Sequence, residues 1–161
     1  MAQMLHLELG AEATPLDRLR GTVHQAAVRI DALAQVLGGA TPADATYVLT
    51  SGLLVSVSSP SVSDEDPFLA DFGLVRASTV DFFVDSAREI ETQYDQVPAL
   101  VFALLEAVPG DAVLHYGYTE VWLVRRGGRY VLSDDDAAWP PERLARVDVP
   151  YERSHLTFVT M

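Results

Sequence analysis

Glu120-Val121-Trp122-Leu123-Val124-Arg125-Arg126-Gly127-Gly128-Arg129-Tyr130-Val131-Leu132-Ser133 is the stretch on which the fold turns. Two runs of β-branched and aromatic residues flank a Gly-Gly pair, which tolerates the positive φ a two-residue hairpin loop requires. The spacing predicts strands over 120–126 and 129–133. Val121 to Val124 is apolar on both faces, so this strand is expected inside a sheet with something packed on each side. Upstream, residues 112–116 supply a third strand of the same antiparallel meander. Pro109-Gly110-Asp111 separates it from a helix predicted over 93–108, whose stripe is Tyr94, Val97, Val101, Leu104, Leu105 and Val108. Pro98 fits that helix if it lies in the first turn, where the missing N–H costs nothing.

Further toward the N-terminus, Val80, Phe82 and Val84 share one face of a strand over 78–84. Residues 85–91 read as a loop or short turn, and Phe68 to Leu74 is ambiguous. Tyr47 to Ser58 reads as a hairpin, 46–50 and 53–58, turning at Ser51-Gly52. Leu5, Leu7 and Leu9 alternate with His6 and Glu8, the period of a strand. Thr14-Pro15 offers an N-cap with proline at the first helical position. Leu16, Leu19, Val23, Ile30, Leu33 and Leu37 then follow at helical spacings up to the stop at Gly38-Gly39, predicting a helix over 15–37. Strand, long helix and hairpin thus occur twice, a possible tandem repeat of architecture without residue identity. The expected fold is a single α+β domain over 1–161, an antiparallel sheet with two long helices on one face.

Composition narrows the function. The 161 residues carry 23 acids against 11 basic residues, all Arg, for a net charge of −12. The acidity is spread along the chain, −5 over residues 1–80 and −7 over 81–161. Nucleic-acid binding needs clustered cations, so it is disfavoured, as is docking on anionic lipid. An electropositive protein partner is compatible. Cysteine is absent, which removes thiol nucleophiles and thiolate zinc sites. The N-terminus shows neither a basic n-region nor a long apolar h-region. The longest apolar run, Pro98 to Leu105, falls short of a membrane span. A cytoplasmic location is expected.

Chemistry-bearing motifs are sparse. His6, His24, His115 and His155 show no i, i+4 ligand pair. Thr50-Ser51-Gly52-Leu53 lacks the first Gly of a nucleophile elbow. Gly127-Gly128 lies between strands, not ahead of a helix, so it cannot cradle phosphate. Two acidic triplets stand out as partner-facing candidates, Asp134-Asp135-Asp136 and Asp64-Glu65-Asp66. A plain solvated loop is the alternative for each. A cation site is a second alternative for Asp134-Asp136, though the Gly and closing Glu of an EF-hand loop are missing. No metal site, cofactor or catalytic residue is expected. Trp122 is expected in the core, and Trp139 as the anchor of the late loop.

The second half carries a resemblance. Helix Val97 to Leu105 leads into Gly110-Asp111-Ala112-Val113-Leu114 and then the Gly127-Gly128 hairpin. Trp139, a helical Pro141-Glu142-Arg143-Leu144 and Pro150-Tyr151 follow. This run resembles the SitI-type immunity proteins of bacterial kin-discrimination systems. The resemblance implies a small cytoplasmic protein that protects its maker by binding one cognate toxin, with no catalytic residues. The Asp134-Asp135-Asp136 run departs from the less acidic loop expected there. Two other readings stay open: a metal-dependent hydrolase using Asp134, Asp136 and a histidine such as His115, and a self-associating adaptor domain.

Overall fold

The computed structural model describes residues 3–10, 14–31, 33–37, 46–60 and 65–159. Among them nine strands form one sheet in the order β2-β3-β4-β5-β1-β6-β7-β8-β9, and four helices pack around it. The strands are β1 (Gln3–Gly10), β2 (Gln35–Leu37), β3 (Thr46–Val48), β4 (Leu54–Ser58), β5 (Arg76–Val84), β6 (Ala112–Tyr116), β7 (Glu120–Arg126), β8 (Arg129–Ser133) and β9 (Tyr151–Ser154). The helices are α1 (Leu16–Ile30), α2 (Pro67–Phe72), α3 (Ile90–Ala107) and α4 (Pro141–Leu144). The fold is α+β.

β1 lies at the centre, antiparallel to β5 on one side and to β6 on the other. β4 also pairs antiparallel with β5, so β1 and β4 run the same way with β5 between them. α1 leads from β1 to the edge strand β2, and the chain returns through β3 to β4, whereas α3 joins β5 directly to β6 across β1. α1 packs on α3. Leu19, Val23 and Ala27 of α1 and Val97, Leu100, Val101 and Leu104 of α3 meet Leu5, Leu7 and Leu9 of β1 in one core. β7 runs between β6 and β8, as its doubly apolar pattern requires. Trp122 and Leu123 enter the main core, while Val121 joins a second cluster on Phe68, Leu74, Val113 and Phe158. Gly127 and Gly128, at φ 57° and 78°, make the turn. Trp139 is fully buried, and its indole N–H donates to the Trp122 carbonyl at 2.7 Å.

Four local readings need correction. The first helix ends at Ile30, not at 37, because Asp31 leaves the helix at φ −142° and ψ 102°. Its carboxylate accepts from the N–H and hydroxyl of Thr50 and from Leu33 N–H. Gln35–Leu37 then pairs antiparallel with β3, so cross-strand pairing overrides the helical spacing of Leu33 and Leu37. The Gly38-Gly39 stop lies outside the described residues. Pro15 sits at the N-cap position, one residue earlier in the helix frame than expected, and its carbonyl accepts from Leu19 N–H.

The other long helix starts at Ile90 because the Glu89 carboxylate caps it, accepting from the N–H groups of Glu91 and Thr92. Pro98 consequently lies in the helix interior, buried in the core. The ambiguous 68–74 segment is a short helix, capped by Asp66 and closed at Gly73 in the left-handed region at φ 63°. The sheet is also not wholly antiparallel: after α4 the chain returns along β8 in the same direction, making β9 a parallel edge strand.

Candidate functional site

The alternation Leu5-His6-Leu7-Glu8-Leu9 sends leucines into the main core and His6 and Glu8 to the opposite face of β1. Because β1 is central, that face is buried too. Glu8 is 0% exposed, and its carboxylate accepts from the Thr79 hydroxyl at 2.6 Å and from His115 Nε2 at 3.1 Å. Arg76 Nη1 lies 3.4 Å from the same carboxylate. Arg76 also binds Asp66 through Nη2 at 2.6 Å and Nε at 2.9 Å, and its guanidinium lies over the Phe68 ring. Burial works against the charge of Arg76. The hydrogen bond to Asp66 and the charges of Glu8 and Asp66 outweigh it, so its pKa is raised.

Cross-strand register adds the histidines, with His6 opposite Asp81 on one side and His115 on the other. His6 Nδ1 meets the Asp81 carboxylate at 2.5 Å, and the two imidazoles stack with centroids 4.9 Å apart. His115 Nδ1 accepts the backbone N–H of Tyr118 at 3.2 Å, so Nε2 carries the proton given to Glu8. Burial pushes the His115 pKa down, ahead of the opposing pull of Glu8, in keeping with a neutral ring. Tyr118 itself is held at φ 63°, unusual for a residue with a side chain. Chemically, the cluster is a hydrogen-bonded network of three carboxylates, Glu8, Asp66 and Asp81, with the Arg76 guanidinium and two histidines. It fastens α2 and the 116–119 turn onto the sheet.

The acidic triplets take different positions. Asp134, Asp135 and Asp136 are exposed on the loop after β8. Asp135 accepts from Ala137 N–H, while Asp134 lies 3.6 Å from His155 and Asp136 lies 3.7 Å from Arg153. In the other triplet Glu65 is exposed, whereas Asp66 is 3% exposed and engaged by Arg76 and Phe68 N–H. Asp64 lies outside the described residues. His115 is bound to Glu8 and Asp134 to His155, so the proposed trio of Asp134, Asp136 and His115 shares no site. Among the described residues no group of three or more His, Asp and Glu side chains is placed to hold a metal ion.

Sequence reasoning missed Glu8, Arg76 and the His6–Asp81 pair. Alternation in β1 looked like one buried and one solvated face. A signal was available in the lone Arg76 close behind Asp66, but nothing local revealed that β1 has a neighbour on each edge.

Another surface borders β9. Tyr130, Val149, Pro150 and Tyr151 line a groove of about 450 Å³ at the start of this strand, with Arg129 and Glu152 at its rim. All four residues of β9 are exposed, and its outer edge has no neighbouring strand among the described residues. No described helix is long and apolar enough to cross a membrane.

A family model described as SitI3-like matches residues 7–143, well over half of the chain. It bears out the resemblance to the SitI-type immunity proteins. No curated protein and no solved structure matches the chain.

Proposed function

This chain belongs to the SitI3-like family, and from that membership we propose that it is an immunity-type binding protein that neutralises a cognate protein toxin by direct binding. It acts without chemistry of its own, as one cytoplasmic domain in a kin-discrimination pair. An inhibitor of this kind needs a stable frame and a complementary surface. Both long helices on the Leu5-Leu7-Leu9 face, as a tandem architectural repeat, would suit that role.

The observation that carries the reading, beside the family, is the distribution of charge. The chain carries −12, and its Asp134-Asp135-Asp136 loop stands in solvent with long, loose ion pairs. Those carboxylates and Glu65 face a basic toxin surface. Asp66, in the same triplet as Glu65, serves the frame instead, and Asp64 stays with the proposed surface by its place in the triplet alone. Exposed charges speed encounter more than they hold a complex, because each exposed pair adds on the order of 0–1 kcal/mol.

Stopped-flow association with the product of the neighbouring gene tests this at two salt concentrations. Replacing Asp134, Asp135 and Asp136 together by Asn should slow association at low salt and flatten its salt dependence, with dissociation changed less. Wild-type association by the triple variant would reduce the loop to a solvated turn.

A further inference from the structure

We infer that the open edge of β9 is where the partner docks, by adding an extended, cationic segment to the sheet as a further strand. The inference rests on the binding reading above and names the surface and the recognition mode. Three observations place it. First, among the described residues no strand pairs with the outer edge of β9, and its hydrogen-bonding groups are defined. Asp134 N–H donates to the Ser154 carbonyl at 2.9 Å. Ser154 therefore directs its backbone at β8, and so does Glu152 two residues back. Tyr151 and Arg153 then turn their N–H and C=O groups outward, because successive residues of a strand alternate.

Second, the two ends of the strand differ in a way a single segment can satisfy. The Pro150-Tyr151 end opens into the groove of Tyr130 and Val149, which accepts an apolar side chain. The Ser154 end abuts Asp134 and Asp136; Arg153 lies 3.7 Å from Asp136 and His155 3.6 Å from Asp134. Acid outweighs base at that end, so the matching segment carries Lys or Arg there and an apolar anchor about 13 Å away, four residues of extended chain. Third, β9 lies beyond residue 143, the last that the family model matches. Partner discrimination at this edge is therefore compatible with the shared family segment. Pro150, the short length and the charges of Glu152 and Arg153 keep the edge from pairing indiscriminately.

The test uses the full chain and the purified product of the neighbouring gene. Amide hydrogen exchange of the complex should show new protection at Tyr151 and Arg153. Arg153→Pro removes an outward N–H at a position where an edge strand tolerates proline. It should weaken binding about tenfold, the effect of one lost backbone hydrogen bond. Arg153→Ala keeps that N–H and should bind within about twofold of wild type, exposed ion pairs adding little. Far-UV circular dichroism and a melting curve check that both variants are folded. Equal affinity of the Pro and Ala variants, or a complex with no new protection in β9, overturns the inference while leaving the binding function intact. Failure of the wild-type chain to form any complex overturns the function and the inference with it.

Discussion

Arg76 keeps its charge inside the protein because two carboxylates share it. Removing one partner of a buried pair leaves the other charge uncompensated, and Asp66 also caps α2. Asp66→Ala should therefore cost about 3 kcal/mol in urea unfolding, and Asp66→Asn, which keeps the cap, clearly less. Equal losses would show that the cap contributes nothing. His115 gives a pH signature. Its folded pKa is depressed, so the unfolded chain binds the proton more readily. The stability it contributes is present above the unfolded pKa of about 6.5 and is lost as pH falls through that value toward the lowered folded pKa. Glu8, His6, Arg76 and Tyr118 surround the ring, and none of them is altered in His115→Gln. Unfolding free energies between pH 8 and 5 should fall less steeply in that variant than in wild type. Parallel profiles would place the acid sensitivity elsewhere.

At the scale of elements, the end of α3 is tied to the meander by Arg125. Arg125, buried on β7, donates to the carbonyls of Leu105 and Val108 near the end of α3 and of Gly110 just beyond it. These are groups that a helix terminus leaves without partners. Arg125→Met should cost about 3 kcal/mol by denaturant titration, with Lys restoring part of it. A loss under about 1 kcal/mol would mean that other groups satisfy those carbonyls. The meander was legible from the sequence because its patterning and its Gly-Gly turn are local. The ends of α1 and α3 were not. Asp31 ends one helix through Thr50, which is distant in sequence, and Glu89 begins the other in a stretch read as loop. β9 was invisible because four polar, exposed residues carry no hydrophobic period.

For the molecule as a whole, the sheet order could not be read from one sequence. The α3 crossover from β5 to β6 spans β1, and that placement buries Glu8 and His115. The acidic loop, by contrast, was legible as exposed charge, since three consecutive carboxylates after a strand have nowhere to go but solvent.

Protection of cells is the measurement closest to the central claim. The neighbouring gene's product is expressed in a sensitive host with and without this chain, and the two proteins are then mixed and their mass in solution is measured. Toxin binding predicts growth only when the chain is present, together with a stable one-to-one complex. Growth arrest despite soluble chain, with the two proteins running separately, would contradict it.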